Sequence, residues 1–193
     1  MKTKILLALC LFVSLISFGQ NGKSLADVNK IKGFYVFVDS KPVAEYESLG
    51  EVKVDEKDAE VKRSPQYQII RDNLIKNARA ANYTADGLIL TFVNGGVDKA
   101  EIIKFKDGQK NKARAKVEQI QGVYIFVDCE PVTESTYVGT SKKSGGFSSP
   151  QYTSVRDALI KKCKKEFKDK EFDAIIFKFV DGGADMADAV KLK

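Results

Sequence analysis

The strongest constraint on the fold of this 193-residue chain is that its sequence repeats. The segment FYVFVDSKP at residues 34–42 returns as VYIFVDCEP at residues 123–131. When Lys23 is aligned with Lys112, the two halves run together without a gap for 31 residues. Farther on, SPQY at 64–67 matches SPQY at 149–152, and FVNGGVD at 92–98 matches FVDGGAD at 179–185. The pattern indicates a tandem duplication, so we expect both halves to share one fold.

Within each repeat the sequence predicts the element order β-β-α-β-β. In the first repeat, GFYVFVD and YESLGEVKV are rich in residues that suit a pleated surface, and GLILTFV and AEIIKFK form a hairpin around 94–96. Residues 39–42 supply a turn between the first two strands. Ser64 is a favourable N-cap and Pro65 fits the first helical position, so the SP pair predicts where the helix begins in each repeat.

The predicted class is α+β, with two tandem repeats whose sheets are mostly antiparallel and each carry one helix packed on a face. Strands such as YVFVD and LILTFV are apolar on both sides. This predicts burial of both sheet faces, or packing of the two copies on each other. A domain of about 80 residues with a single helix has a small core. We therefore expect an intimate pseudo-two-fold pair.

Residues 1–19 are predicted to be a secretory signal peptide. Lys2 and Lys4 precede an uncharged apolar run of 14 residues, and Ser17 and Gly19 supply the small side chains that a signal peptidase requires. The run is too short to span a bilayer comfortably, so we expect a mature protein that does not span the membrane. Export leads to the periplasm, to association with the outer membrane, or to secretion. The remaining chain divides into repeat 1 at 20–106, a linker leading into the second repeat at 107–118, and repeat 2 at 119–193.

The charge balance points away from nucleic acid. The full chain carries 32 basic and 26 acidic residues, and loss of residues 1–19 lowers its net charge from +6 to +4. That excess allows weak attraction to anionic surfaces but falls short of a nucleic-acid footprint, so no nucleic-acid partner is expected. The densest basic run, KNKARAK at 110–116, is interpreted as a solvated linker, with binding of an anionic partner as the alternative.

The residue inventory argues against catalysis. The chain has no histidine, which removes the commonest general base and the commonest transition-metal ligand. It contains no phosphate loop, dinucleotide fingerprint or G-x-S-x-G motif. Asp181, Asp185 and Asp188 lie close together but lack the order of a calcium loop. We expect no cofactor, no bound metal and no enzymatic turnover.

Two duplicated pairs, Arg71-Asp72 and Arg156-Asp157, are the candidate polar site residues. They fall in the second turn of the predicted helices, where they cap or pair locally or, alternatively, recognise a ligand.

The mature chain retains two cysteines, both in the second repeat. Cys129 stands where the first repeat has Ser40, and Cys163 stands where it has Ala78. An even number of cysteines in an oxidising compartment allows a disulfide. A helix packed on a sheet lies about 10 Å from it, however, beyond the reach of a disulfide, and a buried cysteine also behaves as a small hydrophobe. We expect two separate thiols, with a Cys129–Cys163 bridge as the alternative.

The order YESLGEV (46–52), a helix of small and basic residues, and ADGLI (85–89) resembles the YbjQ-like family of small bacterial domains, which is labelled heavy-metal-binding. It is also similar to RcsF-type envelope stress-sensing domains. The second repeat carries the weaker match, STYVGTS (135–141) and FDAII (172–176). The resemblance implies an α+β domain that assembles or signals in the envelope without catalysis. The matching positions hold no histidine and no cysteine pair, so no functional residue is carried over.

Three functions are compatible with these observations. The first is a non-enzymatic, exported bacterial envelope or secreted protein that binds other envelope proteins through its sheet or the junction of its repeats. The alternatives are a periplasmic module that binds a small ligand or ion, and an enzyme of unrecognised type. An exposed strand edge or apolar patch favours the first. A deep pocket with convergent polar groups favours the others.

Overall fold

The duplicated sequence folds into duplicated sheets. The structure is a computed structural model that describes residues 22–81, 84–143, 151–180 and 184–193, and these residues form three helices and fourteen strands of an α+β fold. The predicted signal peptide, the Ser149-Pro150 pair and the 181–183 turn lie outside the described residues.

The first repeat contributes seven strands and two helices. They are β1 (Leu25–Val28), β2 (Lys30–Ile31), β3 (Phe34–Val38), β4 (Ser40–Pro42), β5 (Tyr46–Lys53), α1 (Ala59–Arg63), α2 (Tyr67–Ala81), β6 (Gly87–Thr91) and β7 (Lys99–Phe105).

The described residues of the second repeat contribute the matching seven strands and one helix. They are β8 (Arg114–Val117), β9 (Gln119–Ile120), β10 (Val123–Val127), β11 (Cys129–Pro131), β12 (Ser135–Lys142), α3 (Tyr152–Glu166), β13 (Ala174–Lys178) and β14 (Met186–Leu192).

Each repeat builds a five-stranded sheet with the same strand order. The first sheet runs β2-β3-β6-β7-β5 and the second runs β9-β10-β13-β14-β12. As predicted, most neighbouring strands are antiparallel. The exceptions are the parallel pairs β3–β6 and β10–β13. Parallel strands need a long crossover, and the segment containing the main helix supplies it in both repeats.

A third, four-stranded sheet joins the repeats, and we call it the shared sheet. Its order is β11-β1-β8-β4. The inner strands β1 and β8 pair antiparallel with Ala26 opposite Ala115, two residues that are equivalent in the sequence repeat. Each inner strand has the other repeat's short strand on its outer side: β11 pairs with β1, and β4 pairs with β8. A pseudo-two-fold axis therefore passes between Ala26 and Ala115.

Two buried clusters fill the space between these layers, and each draws on both repeats. The first lies beneath the helices and contains Leu74 and Val36 of one repeat with Leu159 and Ile125 of the other. The second lies between the opposite sheet faces and the shared sheet, where Phe37 and Phe126 are fully buried. Successive residues of a strand point to opposite faces, so strands that are apolar on both sides bury both sides here.

Residues 114–117 differ from the predicted solvated linker. They form β8, an inner strand of the shared sheet, and Ala115 is fully buried. Ala115 and Val117 point inward while Arg114 and Lys116 are more exposed. Two apolar residues are too few to reveal such a strand from periodicity. The turn predicted at 39–42 is also replaced in part, since Ser40–Pro42 form β4.

The main helix of the first repeat begins two residues later than the SP pair predicts. The Ile70 amide donates to the carbonyl of Gln66 at 3.0 Å, so Gln66 supplies the first helical acceptor. Ser64 instead closes α1, and its amide donates to the carbonyl of Glu60 at 2.9 Å. Helix α1 was not predicted because it lies in a polar run. Its N-cap is Asp58, whose carboxylate accepts from the Glu60 amide at 2.9 Å.

Candidate functional site

The predicted polar site residues lie where the two repeats meet. Arg71 Nε donates to Asp72 Oδ1 at 3.1 Å, next to it on α2. Its Nη1 also donates, at 3.0 Å, to Oδ2 of Asp128 in the other repeat. Asp72 in turn accepts from Lys32 Nζ at 2.8 Å.

The second repeat makes the equivalent contacts, with its arginine donating to an aspartate of the first repeat. Arg156 Nε donates to Asp157 Oδ1 at 2.9 Å, and its Nη1 donates to Oδ2 of Asp39 at 3.0 Å. The guanidinium groups of both repeats therefore link the repeats, whereas Asp72 and Asp157 orient the arginines on their own helices.

The acceptors of these bonds, Asp39 and Asp128, were not singled out from the sequence. Their φ angles are 45° and 52°, in the left-handed region that aspartate tolerates better than most residues. Asp39 is the single residue between β3 of the first sheet and β4 of the shared sheet, and Asp128 separates β10 from β11 in the same way. Each of these aspartates ends an FVD motif, and the occurrence of that motif in both repeats is the sequence feature that could have identified them.

Two buried tyrosines complete the arrangement. Tyr67 Oη donates to Asp128 Oδ2 at 2.5 Å, and Tyr152 Oη donates to Asp39 Oδ2 at 2.5 Å. Their ring centroids lie 5.3 Å apart, and Phe92 and Phe179 pack against them. We call the following six side chains the seam: Asp39, Tyr67, Arg71, Asp128, Tyr152 and Arg156.

The electrostatics of the seam suit a structural role. Burial raises the pKa of Tyr67 well above its usual value, and the Asp128 carboxylate raises it further. Burial and Asp39 have the same effect on the pKa of Tyr152. A tyrosine that serves as a general base or nucleophile requires the opposite shift. The seam therefore stabilises the junction with ion pairs and hydrogen bonds whose donors and acceptors come from different repeats.

The two cysteines lie in different buried clusters, and both are free thiols in this structure. Cys129 is in the cluster under the shared sheet, and burial raises the pKa of its thiol to about 12. Cys163 is in the cluster beneath the helices, where its thiol lies 3.8 Å from the carbonyl oxygen of Ala187. Neither thiol has the lowered pKa of a reactive cysteine.

A cavity of about 610 Å³ lies between α1 and α2 of the first repeat. Apolar side chains of both helices line it, among them Val61, Ile69 and Ile75. The charged groups that line it are largely paired with one another, Lys32 with Asp72 at 2.8 Å and Lys76 with Asp58 at 3.3 Å. The second repeat has four fewer residues between its β12 strand and its SPQY segment than the first repeat has between β5 and its SPQY segment.

The outer strands β5 and β12 form matching edges of the first and second sheets. Each has eight residues and a bulge immediately before its glycine, Gly50 in β5 and Gly139 in β12. Among the described residues, no strand pairs with the outer side of either one. β5 carries Glu47 and Glu51, whereas the first seven residues of β12, STYVGTS, are uncharged.

Comparison with known proteins provides no functional assignment, since no protein-family model, curated protein or solved structure matches this chain. Among the described residues, no group of three or more histidine, cysteine, aspartate or glutamate side chains could hold a metal ion. The helices described here are all too short or too polar to cross a membrane.

Proposed function

We propose that this chain is a non-enzymatic, exported protein of the bacterial envelope or extracellular space that binds other proteins. We further propose that an extended segment of the partner adds to the second sheet along β12. The observation that carries the proposal is the difference in charge between the two matching sheet edges.

An edge strand presents unpaired backbone amides and carbonyls, and proteins commonly protect such strands with charged side chains. In β5 the protection comes from Glu47 and Glu51. Their equivalents in β12 are Thr136 and Thr140, which are uncharged. The outer edge of the first sheet therefore carries protecting charges, whereas the equivalent edge of the second sheet has uncharged residues at the same positions.

Side chains on β12 offer further contacts to an added strand. Tyr137 is 63% exposed, more than any other large hydrophobic residue of the described chain. Its hydroxyl lies 2.8 Å from Thr140 Oγ1, which donates to the Asp188 carboxylate at 2.5 Å. Exposed tyrosine beside hydrogen-bonding groups is typical of protein interfaces.

Two carbonyls of β12 accept hydrogen bonds from lysine side chains, Val138 from Lys170 at 3.3 Å and Lys142 from Lys162 at 2.7 Å. These contacts indicate that both carbonyls face away from β14. A lysine side chain is flexible, so a backbone amide of an added strand can replace it. Strand addition of this kind gives affinity through backbone bonds and specificity through alternate side chains.

The proposal that the protein has no enzymatic turnover is supported by the structural role of its polar residues. Two acids and two bases, Asp39, Asp128, Arg71 and Arg156, take part in the seam, where they hold one repeat to the other. Export is supported by the sequence of residues 1–19 alone. Periplasmic, outer-membrane-associated and secreted locations all agree with it.

The role of β12 is tested by changing its residues, and the equivalent strand β5 of the first repeat supplies the control variant. The double variant Thr136→Glu/Tyr137→Ser gives β12 the residues that β5 has at those positions, and Ser48→Glu adds a charge to β5 instead. We expect a tagged mature protein to capture its partner from the native envelope, the β12 variant to lose it, and the β5 variant to retain it. Equal capture by all three proteins, measured by quantitative mass spectrometry, contradicts the assignment to β12.

A second candidate function, binding of a small ligand, is favoured by the cavity between α1 and α2. Its volume lies within the range of about 300–1,000 Å³ that is usual for ligand pockets. Ala80 lines it and is exposed, so Ala80→Trp fills the cavity without disturbing the core. We expect native mass spectrometry of protein purified from its source to show a ligand adduct that the variant lacks. An adduct retained by the variant contradicts this location.

A further inference from the structure

A second basic surface lies outside the run at 110–116. Residues 161–170, KKCKKEFKDK, hold six lysines against Glu166 and Asp169. This excess of four equals the whole net charge of the predicted mature chain. Five of these lysines, which we call the lysine face, are exposed: Lys161, Lys164, Lys165, Lys168 and Lys170.

Helix geometry places the lysine face opposite the core. Lys161, Lys164 and Lys165 have the i, i+3, i+4 spacing of one helix side, and Lys168 follows at i+7 in the turn after α3. The buried stripe of α3, which includes Leu159 and Cys163, lies on the other side.

The lysine face is not neutralised within the described residues. Lys162 pairs with Glu166 and Lys191 pairs with Glu171, but none of the five lysines has a carboxylate within 4.0 Å. Lys164 donates to the carbonyl of Gln121, and Lys170 donates to that of Val138. Within the part of the chain that the structure describes, no such hydrogen bond holds Lys161, Lys165 or Lys168. Like charges at this spacing oppose helix formation.

The first repeat shows which of these charges the fold requires. Arg79, the equivalent of Lys164, donates to the carbonyl of Lys32, which is the equivalent of Gln121. That bond is thus a shared structural feature. Lys76, the equivalent of Lys161, is paired with Asp58, the N-cap of α1, and Ala80 stands where the second repeat has Lys165. The fold itself therefore does not need an unpaired cationic surface at the end of this helix.

We propose that the lysine face binds the surface of an anionic lipid bilayer through phosphate-bearing headgroups. Its charges are separate ammonium groups on flexible stems rather than arginine forks, which suits diffuse attraction better than recognition of one oriented group. A cavity of about 390 Å³ beside it is lined by Phe167, Phe172, four lysines and Glu171, whose carboxylate is paired with Lys191 at 3.3 Å, and it offers a place for one headgroup. Because the aromatic rings are half-buried, binding is electrostatic and involves little insertion.

The expected effect is large enough to measure. Each lysine near an anionic bilayer contributes roughly a fivefold change in affinity, so removing three lysine charges weakens binding on the order of 100-fold. The interaction also weakens steeply as salt shortens the Debye length. This inference shares Lys170 with the strand addition proposed at β12, because that lysine donates to the Val138 carbonyl, but Lys161, Lys165 and Lys168 make no such bond to β12.

The experiment measures co-sedimentation of the mature protein with vesicles of phosphatidylcholine containing about a third phosphatidylglycerol, at low and high salt. The variant Lys161→Gln/Lys165→Gln/Lys168→Gln removes the three lysines of the face that make no hydrogen bond or ion pair within the described residues. The control Lys57→Gln/Lys62→Gln/Lys104→Gln removes three exposed lysines of the first repeat and has the same net charge. We expect the control to bind like the wild type and the lysine-face variant to lose binding, with neither binding pure phosphatidylcholine.

Three results overturn the proposal. The first is absence of binding to the anionic vesicles at low salt. The second is equal weakening by both triple variants, which assigns the effect to net charge. The third is binding of the lysine face to a soluble polyanion such as heparin with no binding to vesicles, which assigns the surface to a different class of partner.

Discussion

Ser40 carries the one buried side-chain oxygen or nitrogen in the described residues that has no hydrogen-bond partner. The residue is 5% exposed and lies in β4 opposite Val117 of the shared sheet. Its equivalent in the second repeat is Cys129, which is 4% exposed and sits in an apolar cluster. A buried hydroxyl without a partner costs about 1–3 kcal/mol, whereas a thiol is only weakly polar.

We therefore expect Ser40→Ala and Ser40→Cys to stabilise the protein. The removed penalty is partly offset by lost or altered packing, so a net gain of about 1 kcal/mol is expected, or a rise of about 2–4 °C in Tm for a chain of this size. The reverse change, Cys129→Ser, introduces an unpartnered hydroxyl and is expected to cost about 1–3 kcal/mol.

Urea denaturation of the mature protein, followed by circular dichroism, measures these changes as shifts of the midpoint at constant slope. Cys129→Ala serves as the control, because it loses the same sulfur packing without adding a hydroxyl. If Ser40→Ala lowers the free energy of unfolding by 1 kcal/mol or more, the hydroxyl has a partner and the reasoning fails.

Three further predictions concern the seam, a crowded glycine and the thiols. Folding raises the pKa of both seam tyrosines, so the free energy of unfolding should fall as pH rises above about 10, where tyrosines of the unfolded chain ionise. In thermal melts from pH 9 to 11, Tm should decline less steeply when both tyrosines are replaced by phenylalanine. An unchanged dependence of Tm on pH argues against the raised pKa values. A Cβ on Gly139 would lie 2.4 Å from the Phe167 ring, so Gly139→Ala should cost about 1–3 kcal/mol and Phe167→Leu should recover part of it; no recovery would locate the strain elsewhere. Titration of the denatured, unreduced mature protein should find two thiols, whereas none in a monomer would show a bridge.

The parts of the fold that could be predicted from the sequence are those with strong local patterns. β3, β6 and α2 have enough apolar residues at the right spacing to be visible alone, and the repeat doubles that signal. β1 and β8 have only two inward-facing residues each. They form because each is hydrogen-bonded to strands of the other repeat. Parallel pairing of β3 with β6 likewise depends on contacts distant in sequence, which periodicity does not report.

The same distinction applies to the candidate residues. Arg71 and Asp72 stood out because they are duplicated and adjacent, and their contact with each other is local. The bond from Arg71 to Asp128 crosses the repeats, so only the three-dimensional arrangement reveals it. The FVD and SPQY landmarks contain every seam residue except the arginines, yet nothing in the sequence states that they meet. The differences between β5 and β12, and between α2 and α3, became informative once the structure placed equivalent residues side by side.

The reciprocal seam leads to a last prediction, that one repeat alone forms a homodimer. Asp39 contacts Tyr152 and Asp128 contacts Tyr67, so every seam contact of one repeat is met by an equivalent residue of the other. Two copies of residues 112–193 can therefore reproduce the junction as an isologous interface. In this dimer β8 of one copy pairs with β8 of the other, and β11 of each copy pairs with the outer side of the other copy's β8. A single copy would instead expose the buried clusters that both repeats share. We expect analytical ultracentrifugation of this fragment to give twice the monomer mass, and Asp128→Ala to weaken the dimer. A folded, stable monomer at micromolar concentration would show that the repeats do not depend on each other.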